Sequence, residues 1–345
     1  MESWLTEADA IEIDCPLCGA APKEHQVVSR RDRYGEPLRN VLCRRCGLVF
    51  ANPMPSAEAV DAFYRTRYRR EYKRSDIPEP RRVLRAFRLA AKRLRGLRGY
   101  VPTAGRALDV GAGGGEWVVA LSRVGLEAAG IEPNIGYAGY AVREYGARIA
   151  TASLGEAPLA AGAYDLVTAF HVLEHLRDPG RALRQIHGLL KPDGRLVVEI
   201  PDIAASDQST ASKFHPAHLL GFTPETLRAM AERHGFTVEA DLSGRLNGCN
   251  VAMVFRRATA TPDALPPAAT AERVARNLSR RRYFHRLTLA RWAAKAWRSL
   301  AERAASRGLG GRAIADKVLG PAPARLATGR DHVAGPRRPD LLPTP

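Results

Sequence analysis

The sequence predicts an α/β protein built around a doubly wound, parallel β-sheet, with a cysteine-rich module before it and a basic helical appendix after it. Strand-like and helix-like apolar patterns alternate between about residues 101 and 257. A glycine-rich turn follows the first of these strands, and two Cys-x-x-Cys pairs precede the sheet. We therefore divide the chain into a ribbon module at 1–52, a helical connector at 53–100, the core at 101–257 and the appendix at 258–345.

The N-terminal module has the cysteine spacing of a metal site. Its two pairs are Cys15 with Cys18 and Cys43 with Cys46, and each pair is followed by glycine. Two such turns can form the four-sulfur shell that zinc accepts, and the 24 intervening residues leave room for a β-hairpin at 26–30 and 39–42. The alternative is a pair of redox-active dithiols. Because all four positions are cysteine, we expect a structural zinc ribbon with no open coordination position.

The net charge of +17 is concentrated in the C-terminal appendix. Residues 256–345 hold 19 Lys and Arg against 6 Asp and Glu, so the charge says little about a catalytic pocket. No run approaches the roughly 18 apolar residues that a membrane span requires. The N-terminal residues are acidic and lack the apolar stretch of a secretory signal. We expect a cytoplasmic protein.

The core begins with a strand at 106–110 that runs into Asp109-x-Gly111-x-Gly113-x-Gly115. This is not a dinucleotide fingerprint, because Glu116 stands where the third glycine would be. Asp109 would be unfavourable beside a pyrophosphate but suits the cationic amino-acid end of S-adenosylmethionine. The next strand ends in Glu132, whose carboxylate can accept hydrogen bonds from both ribose hydroxyls.

These motifs, with the downstream segments at 164–179 and 190–201, resemble the class I S-adenosylmethionine-dependent methyltransferases over residues 105–257. The resemblance implies a Rossmann-like seven-stranded sheet whose antiparallel seventh strand lies at 250–256. It also implies a methionine-side loop, a ribose ligand, an adenine pocket and a floor beneath the methyl group. The residues at these positions are Asp109, Gly111, Gly113 and Gly115 in the loop, Glu132 at the ribose, Pro133, Asn134, Ser153 and Leu154 at the adenine, and Phe170 and His171 in the floor. Many relatives have Asp where this chain has Ser153.

The N-terminal half carries a second resemblance. Cys43-Arg-Arg-Cys46-Gly-Leu-Val-Phe-Ala-Asn-Pro-Met-Pro, followed by Tyr64, Tyr68 and Tyr72, is similar to zinc-ribbon methyltransferases of sugar, polysaccharide and secondary-metabolite pathways. The three tyrosines have helical spacing. They are interpreted either as a closure over the cofactor pocket or as a packed aromatic stripe.

The segment after the fifth core strand supplies the candidate general bases. An alcohol acceptor must lose a proton during methyl transfer, and histidine suits that role near neutral pH. His218 is the first candidate and His215 the second, since this segment lies at the carboxyl ends of the strands, where ligands bind in such sheets. The alternative is that either histidine only forms a structural hydrogen bond.

A second group comprises His171, Glu174 and His175, which can share one face of a helical turn. Quinone-pathway O-methyltransferases of the same class hold a divalent metal with Glu-x-x-Glu-His at a similar place, and His171 replaces the first Glu here. The resemblance implies a metal-assisted acceptor site. The alternative is that the Glu-His pair orients the turn before the next helix.

The appendix predicts a basic amphipathic helix over 283–305, followed from about residue 320 by a Pro-, Gly- and Arg-rich tail of disordered composition. Three uses of the helix remain open: packing on this or another subunit of a homodimer, peripheral contact with the inner face of the membrane, and contact with nucleic acid.

The sequence therefore predicts an S-adenosylmethionine-dependent methyltransferase that acts on the hydroxyl of a small molecule, sugar or glycolipid. One alternative is an RNA methyltransferase whose ribbon and basic tail bind phosphates. A second is a cofactor-binding scaffold without catalysis, although the presence of both Asp109 and Glu132 argues against an inactive pocket.

Overall fold

The computed structural model describes residues 10–62, 77–205, 213–279 and 285–322. The predictions for Tyr64, Tyr68, Tyr72 and the tail beyond residue 322 fall outside the described residues.

The N-terminal module consists of short antiparallel strands. They are β1 (Ala10–Ile11), β2 (His25–Arg31), β3 (Pro37–Cys43), β4 (Val49–Ala51) and β5 (Met54–Pro55). The predicted hairpin is confirmed, because β2 pairs with β3 from His25 opposite Cys43 to Arg31 opposite Pro37. β1 pairs with β5.

A strand from much later in the chain completes the sheet of the ribbon. β11 (Leu220–Gly221) pairs antiparallel with β4, so the four-stranded sheet, here called the ribbon sheet, has the order β11-β4-β3-β2. Its apolar face packs around Leu42, Val49 and Phe214. The segment that carries the candidate bases is thereby joined to the ribbon.

The predicted seven-stranded sheet is also confirmed. Its strands are β6 (Arg106–Val110), β7 (Glu127–Ile131), β8 (Ile149–Ala150), β9 (Tyr164–Phe170), β10 (Leu190–Pro201), β12 (Phe236–Asp241) and β13 (Asn250–Arg257). Their order is β8-β7-β6-β9-β10-β13-β12. β6, β7 and β8 pair in parallel, whereas β13 runs antiparallel to both β10 and β12, as expected for the seventh strand.

Helices connect the strands and extend the chain at both ends. They are α1 (Ala57–Ala62), α2 (Pro80–Gly96), α3 (Glu116–Arg123), α4 (Ile135–Tyr145), α5 (Pro179–Leu189), α6 (Pro224–Arg233), α7 (Ala269–Ser279), α8 (His285–Ser306) and α9 (Gly311–Leu319). Thr223 caps α6 by accepting from the Thr226 backbone, and Thr226 returns the bond through its side chain.

The helix predicted over 283–305 is observed as α8, while α9 was not predicted. α9 buries Ile314 and Ala315 against Val83, Leu84 and Phe87 of α2. Arg123 of α3 further fixes α9 through an ion pair with Asp316 at 2.6 Å. The C-terminal helices therefore belong to a packed core.

The chain forms two compact units, each assembled from separate stretches. One comprises Met1–Tyr68, Ala169–Gly188 and Arg195–Phe284, and the other comprises Arg69–Thr168, Leu189–Gly194 and His285–Pro345. Within the described part of the chain, no helix combines the length and apolar composition needed to cross a bilayer.

Candidate functional site

Asp109 lies near the end of β6 with its side chain buried, 4% exposed. Its Oδ1 accepts a hydrogen bond from Thr168 Oγ1 at 2.6 Å, and Thr168 in turn accepts one from Trp117 Nε1 at 3.1 Å. Burial raises the pKa of Asp109 to about 7, although the bond from Thr168 opposes the shift. Burial disfavours the ionised form of Asp109, and a positively charged ligand would offset that penalty. Asp109 is therefore a functional-site candidate.

The turn after Asp109 is built from glycines with left-handed backbone conformation. Gly111, Gly113 and Gly115 have φ angles of 71°, 57° and 79°. A Cβ at Gly115 would also lie 2.8 Å from the Ala141 side chain, so the turn approaches α4 closely. The sequence predicted a turn here from its glycines. In the structure the chain turns sharply at these glycines and enters α3.

Glu132 fixes that loop through backbone contacts. Its Oε2 accepts from the Gly113 amide at 2.8 Å and its Oε1 accepts from the Asn134 amide at 3.0 Å. Asn134 caps α4 by accepting from the Tyr137 amide. Each carboxylate oxygen can accept a second hydrogen bond, so Glu132 can also take a ribose hydroxyl, as the resemblance implies.

The remaining predicted cofactor contacts lie at the carboxyl ends of the sheet strands. Pro133 and Leu154 are half-buried, and Ser153 Oγ donates to Glu156 Oε2 at 2.8 Å. Phe170 is half-buried at the end of β9. Their contacts with adenine or the methyl group stay predictions.

His171 follows β9, and its ring lies between the carboxylates of Glu174 and Glu199. Its backbone has φ of 57°, in the left-handed region that a histidine rarely adopts, and its amide donates to the Glu199 carbonyl at 2.7 Å. Nδ1 lies 3.2 Å from Glu174 Oε1, and Nε2 lies 3.7 Å from Glu199 Oε1. Burial alone would lower the pKa of His171, but the two carboxylates outweigh it and raise the pKa to about 9. His171 is therefore an imidazolium at neutral pH.

The sequence did not predict two of the residues around His171, namely Glu199 and Asn250. Glu199 is fully buried in β10 and accepts from Asn247 Nδ2 at 3.1 Å and Asn250 Nδ2 at 2.7 Å. Asn250 also lies 3.2 Å from His171 Nε2. The available signal was a glutamate within the otherwise apolar run Leu196–Ile200, since an unpaired buried charge would be costly.

His175, His215 and His218 form a cluster of rings around the backbone of Ala217. The His175 Nδ1 donates to the Ala217 carbonyl at 2.7 Å, and the His215 Nδ1 accepts from the Ala217 amide at 3.0 Å. Because backbone groups have fixed roles, both tautomers are set. His218 stacks on His215 and meets His175 edge-on, with ring centroids 4.8 Å apart in each pair. Burial, followed by the neighbouring imidazoles, holds the pKa of His218 well below its usual value, so the ring is neutral.

A cation-binding arrangement is present in this cluster. One ligand atom each from Glu174, His175 and His218 lies within 4.8 Å of the others. The set predicted from sequence contained His171 in place of His218, and the structure places His171 Nδ1 3.2 Å from Glu174 Oε1, within hydrogen-bonding distance. Glu174 is 1% exposed, and its Oε2 has no hydrogen-bond partner among the described residues. An orphaned buried carboxylate oxygen beside two imidazoles fits a divalent cation.

The four cysteines of the ribbon converge as their spacing predicted. Cys15 Sγ lies 3.5 Å from Cys46 Sγ, and Cys18 Sγ lies 3.5 Å from Cys43 Sγ. Tetrahedral Zn–S bonds of about 2.3 Å place sulfurs about 3.8 Å apart, so the spacing fits. Hydrogen bonding among the sulfurs lowers the pKa of Cys43 and Cys18 and raises that of Cys15 and Cys46, so only a shared cation allows all four to ionise.

The family model for a methyltransferase domain matches residues 81–241. That segment contains the glycine turn, Asp109, Glu132 and the histidine cluster. Residues 81–241 are called the methyltransferase domain below after this match, which shows similarity to that family over this segment. Asn250, which helps to hold His171, lies beyond the matched segment, and the four cysteines lie before it.

Part of the chain is similar in sequence to curated proteins. The ubiquinone biosynthesis O-methyltransferase of Methylococcus capsulatus is 36% identical over 109 residues, which cover 30% of this chain and 46% of the relative. That of Azorhizobium caulinodans is 33% identical over 121 residues, with coverage of 34% and 46%. The chain therefore spans about half the length of the curated relatives it matches.

Solved structures also resemble part of the chain. One is the 1,6-didemethyltoxoflavin-N1-methyltransferase of Burkholderia thailandensis, with a TM-score of 0.47 and 19% identity over 61% of this chain and 96% of that chain. Another is an S-adenosylmethionine-dependent methyltransferase of Mesorhizobium loti, with a TM-score of 0.41 and 17% identity over 48% and 98%.

Proposed function

We propose that this chain transfers a methyl group from S-adenosylmethionine to the hydroxyl of a small molecule, sugar or glycolipid. The observation that carries the proposal is the pair of buried carboxylates, Asp109 and Glu132, at the ends of adjacent parallel strands within the methyltransferase domain. S-adenosylmethionine supplies a methyl group that is already activated. The protein therefore has to position the acceptor and remove its proton.

Asp109 and Glu132 have separate roles in this proposal. Asp109 is the anion for the cationic amino-acid end of the cofactor, and the cofactor's charge offsets the desolvation that raises the pKa of Asp109 to about 7. Glu132 already orders the loop through the Gly113 amide at 2.8 Å. It can therefore bind the ribose on a carboxylate that is oriented beforehand.

The choice of oxygen as the acceptor atom rests on the curated relatives, which are named O-methyltransferases. The histidine cluster supports it, because a neutral imidazole can accept a hydroxyl proton whereas an amine acceptor often needs no base. His218 is the proposed base, with its ring fixed against His215 and His175. The imidazolium of His171 is excluded from that role by its charge.

A metal-assisted acceptor site is the second arrangement that the cluster supports. Glu174, His175 and His218 would hold a divalent cation, and Glu174 Oε2 would gain the partner that it lacks among the described residues. Such a cation would lower the pKa of a bound hydroxyl, and His175 would be oriented by the Ala217 carbonyl.

We further propose that the four cysteines hold a structural zinc ion. Four sulfur ligands leave no position for a substrate or a water, so its role is to stabilise the ribbon sheet.

Calorimetric titration with S-adenosylhomocysteine tests the cofactor assignment. We expect micromolar binding by the wild-type chain and a loss of at least about tenfold in Asp109→Asn and Glu132→Gln, since each removes one charged ligand. Asp165→Asn is the matched control, because Asp165 lies on β9 and pairs with Lys191 on the molecular surface. No binding by the folded, zinc-loaded wild type would contradict the cofactor assignment.

Methyl transfer from radiolabelled S-adenosylmethionine to a panel of phenols, sugars and RNA tests the acceptor class. We expect transfer to hydroxyl acceptors that His218→Ala lowers by about 100-fold or more while cofactor binding remains. Transfer to RNA alone, with steep salt dependence, would replace the proposal by the RNA-directed alternative.

Measuring activity and metal content after chelation, with and without added Mg²⁺, Mn²⁺ or Zn²⁺, separates the metal-assisted arrangement from the metal-free base.

A further inference from the structure

Helix α8 presents two different faces. Its inward face is polar and buried: Glu302 and Ser306 are each 3% exposed, and Ser299 accepts from Arg81 Nη1 of α2 at 3.2 Å. On the opposite face, Trp297 is 75% exposed and Leu300 is 59% exposed. Small apolar side chains extend this outward stripe at helical spacing, namely Ala293, Ala294, Ala301 and Ala304. Between Ala293 and Ser306, the largest apolar side chains of α8 therefore face outward.

The acidic residues of the C-terminal helices are already paired with arginines of other helices. Residues 285–319 contain only two acids, Glu302 and Asp316. Glu302 forms an ion pair with Arg85 of α2, and Asp316 forms one with Arg123 of α3 at 2.6 Å. The exposed charges that flank the apolar stripe, at Arg298 and Arg303, are therefore positive.

Helix α2, which contacts α8, adds to the positive charge. Residues 80–98 contain eight Lys and Arg and no Asp or Glu. Four of these bases are exposed and share one stripe of α2 at i, i+3, i+7 and i+10, namely Arg85, Arg88, Lys92 and Arg95.

An open cleft lies where the start of α2 meets the end of α8. It is lined by Arg81, Arg303, Arg307 and Ser306, with the carboxylate of Glu79 as the one acidic group among its lining residues. Glu79 is already paired with Arg81 at 2.6 Å and lies 3.8 Å from Arg82. Arg303 and Arg307 also line the cleft, and their guanidinium groups could bind an anion such as a phosphate.

We propose that the outward face of α8, with the arginine-lined cleft at its end, docks on the surface of an anionic phospholipid membrane. Trp297 and Leu300 enter the boundary between headgroups and acyl chains, Arg298 and Arg303 contact lipid phosphates, and one headgroup occupies the cleft. A second copy of this chain fits less well, because the flanking arginines of two copies would repel each other. Nucleic acid fits less well because a Trp-Leu-Ala stripe offers it few polar contacts.

Flotation of the full chain with lipid vesicles tests this surface. The vesicles are phosphatidylcholine alone or phosphatidylcholine with roughly 30% phosphatidylglycerol. We expect about tenfold stronger partitioning onto the anionic vesicles, and its loss in about 0.5 M salt. Trp297→Ser/Leu300→Ser and Arg303→Gln/Arg307→Gln should each weaken partitioning by about fivefold or more.

The matched controls are Val142→Ser on α4, where the valine is 46% exposed, and Arg276→Gln on α7, where the arginine is exposed. Both should partition like the wild type, and all variants should keep the wild-type thermal midpoint, because every substituted side chain is on the surface. Vesicle partitioning and the thermal midpoint are both measured without S-adenosylmethionine or acceptor. Both results are therefore independent of the proposed methyl transfer.

Three results would overturn the proposal. The first is equal partitioning onto neutral and anionic vesicles, or none onto either. The second is a concentration-dependent dimer in sedimentation velocity that Trp297→Ser/Leu300→Ser dissolves, which assigns the stripe to a second copy. The third is tight binding of single-stranded RNA that depends on Arg303 and Arg307 while vesicle binding is absent.

Discussion

At the scale of single residues, Asp109 joins the cofactor proposal to the stability of the apoprotein. A folded-state pKa of about 7, against an ordinary value of 3.8, means that the folded chain binds this proton more tightly than the unfolded chain. The stability contributed by the protonated carboxyl is therefore fully present below pH 3.8. It is lost as the pH rises toward and through 7.

We predict that Asp109→Asn is more stable than the wild type at pH 8, by up to about 4 kcal/mol, because the amide cannot ionise and still accepts from Thr168. The advantage should shrink by pH 5. Urea unfolding at the two pH values measures it. Asp165→Asn should show the opposite sign at pH 8, since Lys191 and the Arg106 amide lower the pKa of Asp165 in spite of its partial burial. An Asp109→Asn variant less stable than the wild type at pH 8 would contradict the assignment.

The second prediction concerns Gly115. Gly115 and Gly146 have similar φ angles of 79° and 68°, but a Cβ at Gly115 would meet Ala141 at 2.8 Å whereas one at Gly146 would meet nothing within 4 Å. Gly146→Ala should cost about 1 kcal/mol from backbone conformation alone. Gly115→Ala should cost about 2 kcal/mol more, measured by chemical denaturation, because α4 must also move. Equal losses of unfolding free energy in the two variants would show that α4 moves away from the new methyl group at no cost.

The placement of the glycine turn and of the two carboxylates beside it could be predicted because it follows from local sequence. Asp109, the three glycines and Glu132 occupy strand ends and a turn, and the chain itself brings such positions together at one sheet edge. Glu199 and Asn250 could not be found this way. Their meeting depends on the register of β10 against β13, where Pro201 lies opposite Asn250.

At the scale of secondary structure elements, the ribbon sheet joins the cysteine cluster to the segment that carries the histidines. Leu220 pairs with Phe50, and the Ala51 amide donates to the Leu219 carbonyl at 2.8 Å. The Arg33 amide at the hairpin tip donates to the Phe214 carbonyl at 2.7 Å. The hairpin was predicted from its turn, whereas a two-residue strand such as β11 leaves no periodic pattern to read.

We predict that loss of the ribbon's metal site loosens the histidine segment. In Cys43→Ser, amide hydrogen exchange should accelerate by about tenfold or more in β4 and in residues 214–221, because these strands share hydrogen bonds. Exchange in β7 and in α4 should stay unchanged. Cys249→Ser is the matched control, since Cys249 lies outside the four-cysteine cluster. Unchanged exchange at residues 214–221 would show that the segment holds its own conformation.

At the scale of the whole molecule, the C-terminal helices complete a core that begins some 200 residues earlier. Ile314 is fully buried and packs in the cluster of Val83, Leu84 and Phe87. α9 lies outside the segment matched to the methyltransferase domain. The sequence predicted only an appendix in this region because a nine-residue helix has a weak apolar pattern. Burial against α2 stabilises α9 in spite of that pattern.

We therefore predict that Ile314→Ala destabilises the unit that contains α2 by about 2–4 kcal/mol, as a cavity in a packed core does. Trp297→Ala on α8 is the control and should change stability by less than about 0.5 kcal/mol, because its side chain is 75% exposed. Thermal and urea unfolding of the full chain measure both. A cost below about 1 kcal/mol for Ile314→Ala would show that α9 is dispensable to that core.

The pairing of β11 with β4 also has a consequence for the time order of biosynthesis. Phe50 and its partner Leu220 are 170 residues apart, so at about 5–20 residues per second the ribosome completes β11 roughly 10–30 s after β4. The four cysteines all precede β4 along the chain. The nascent ribbon can thus bind the proposed zinc ion while the edge of β4 still lacks its neighbour. During that interval metal supply and chaperone cover, rather than the finished sheet, protect the thiols and the open strand edge.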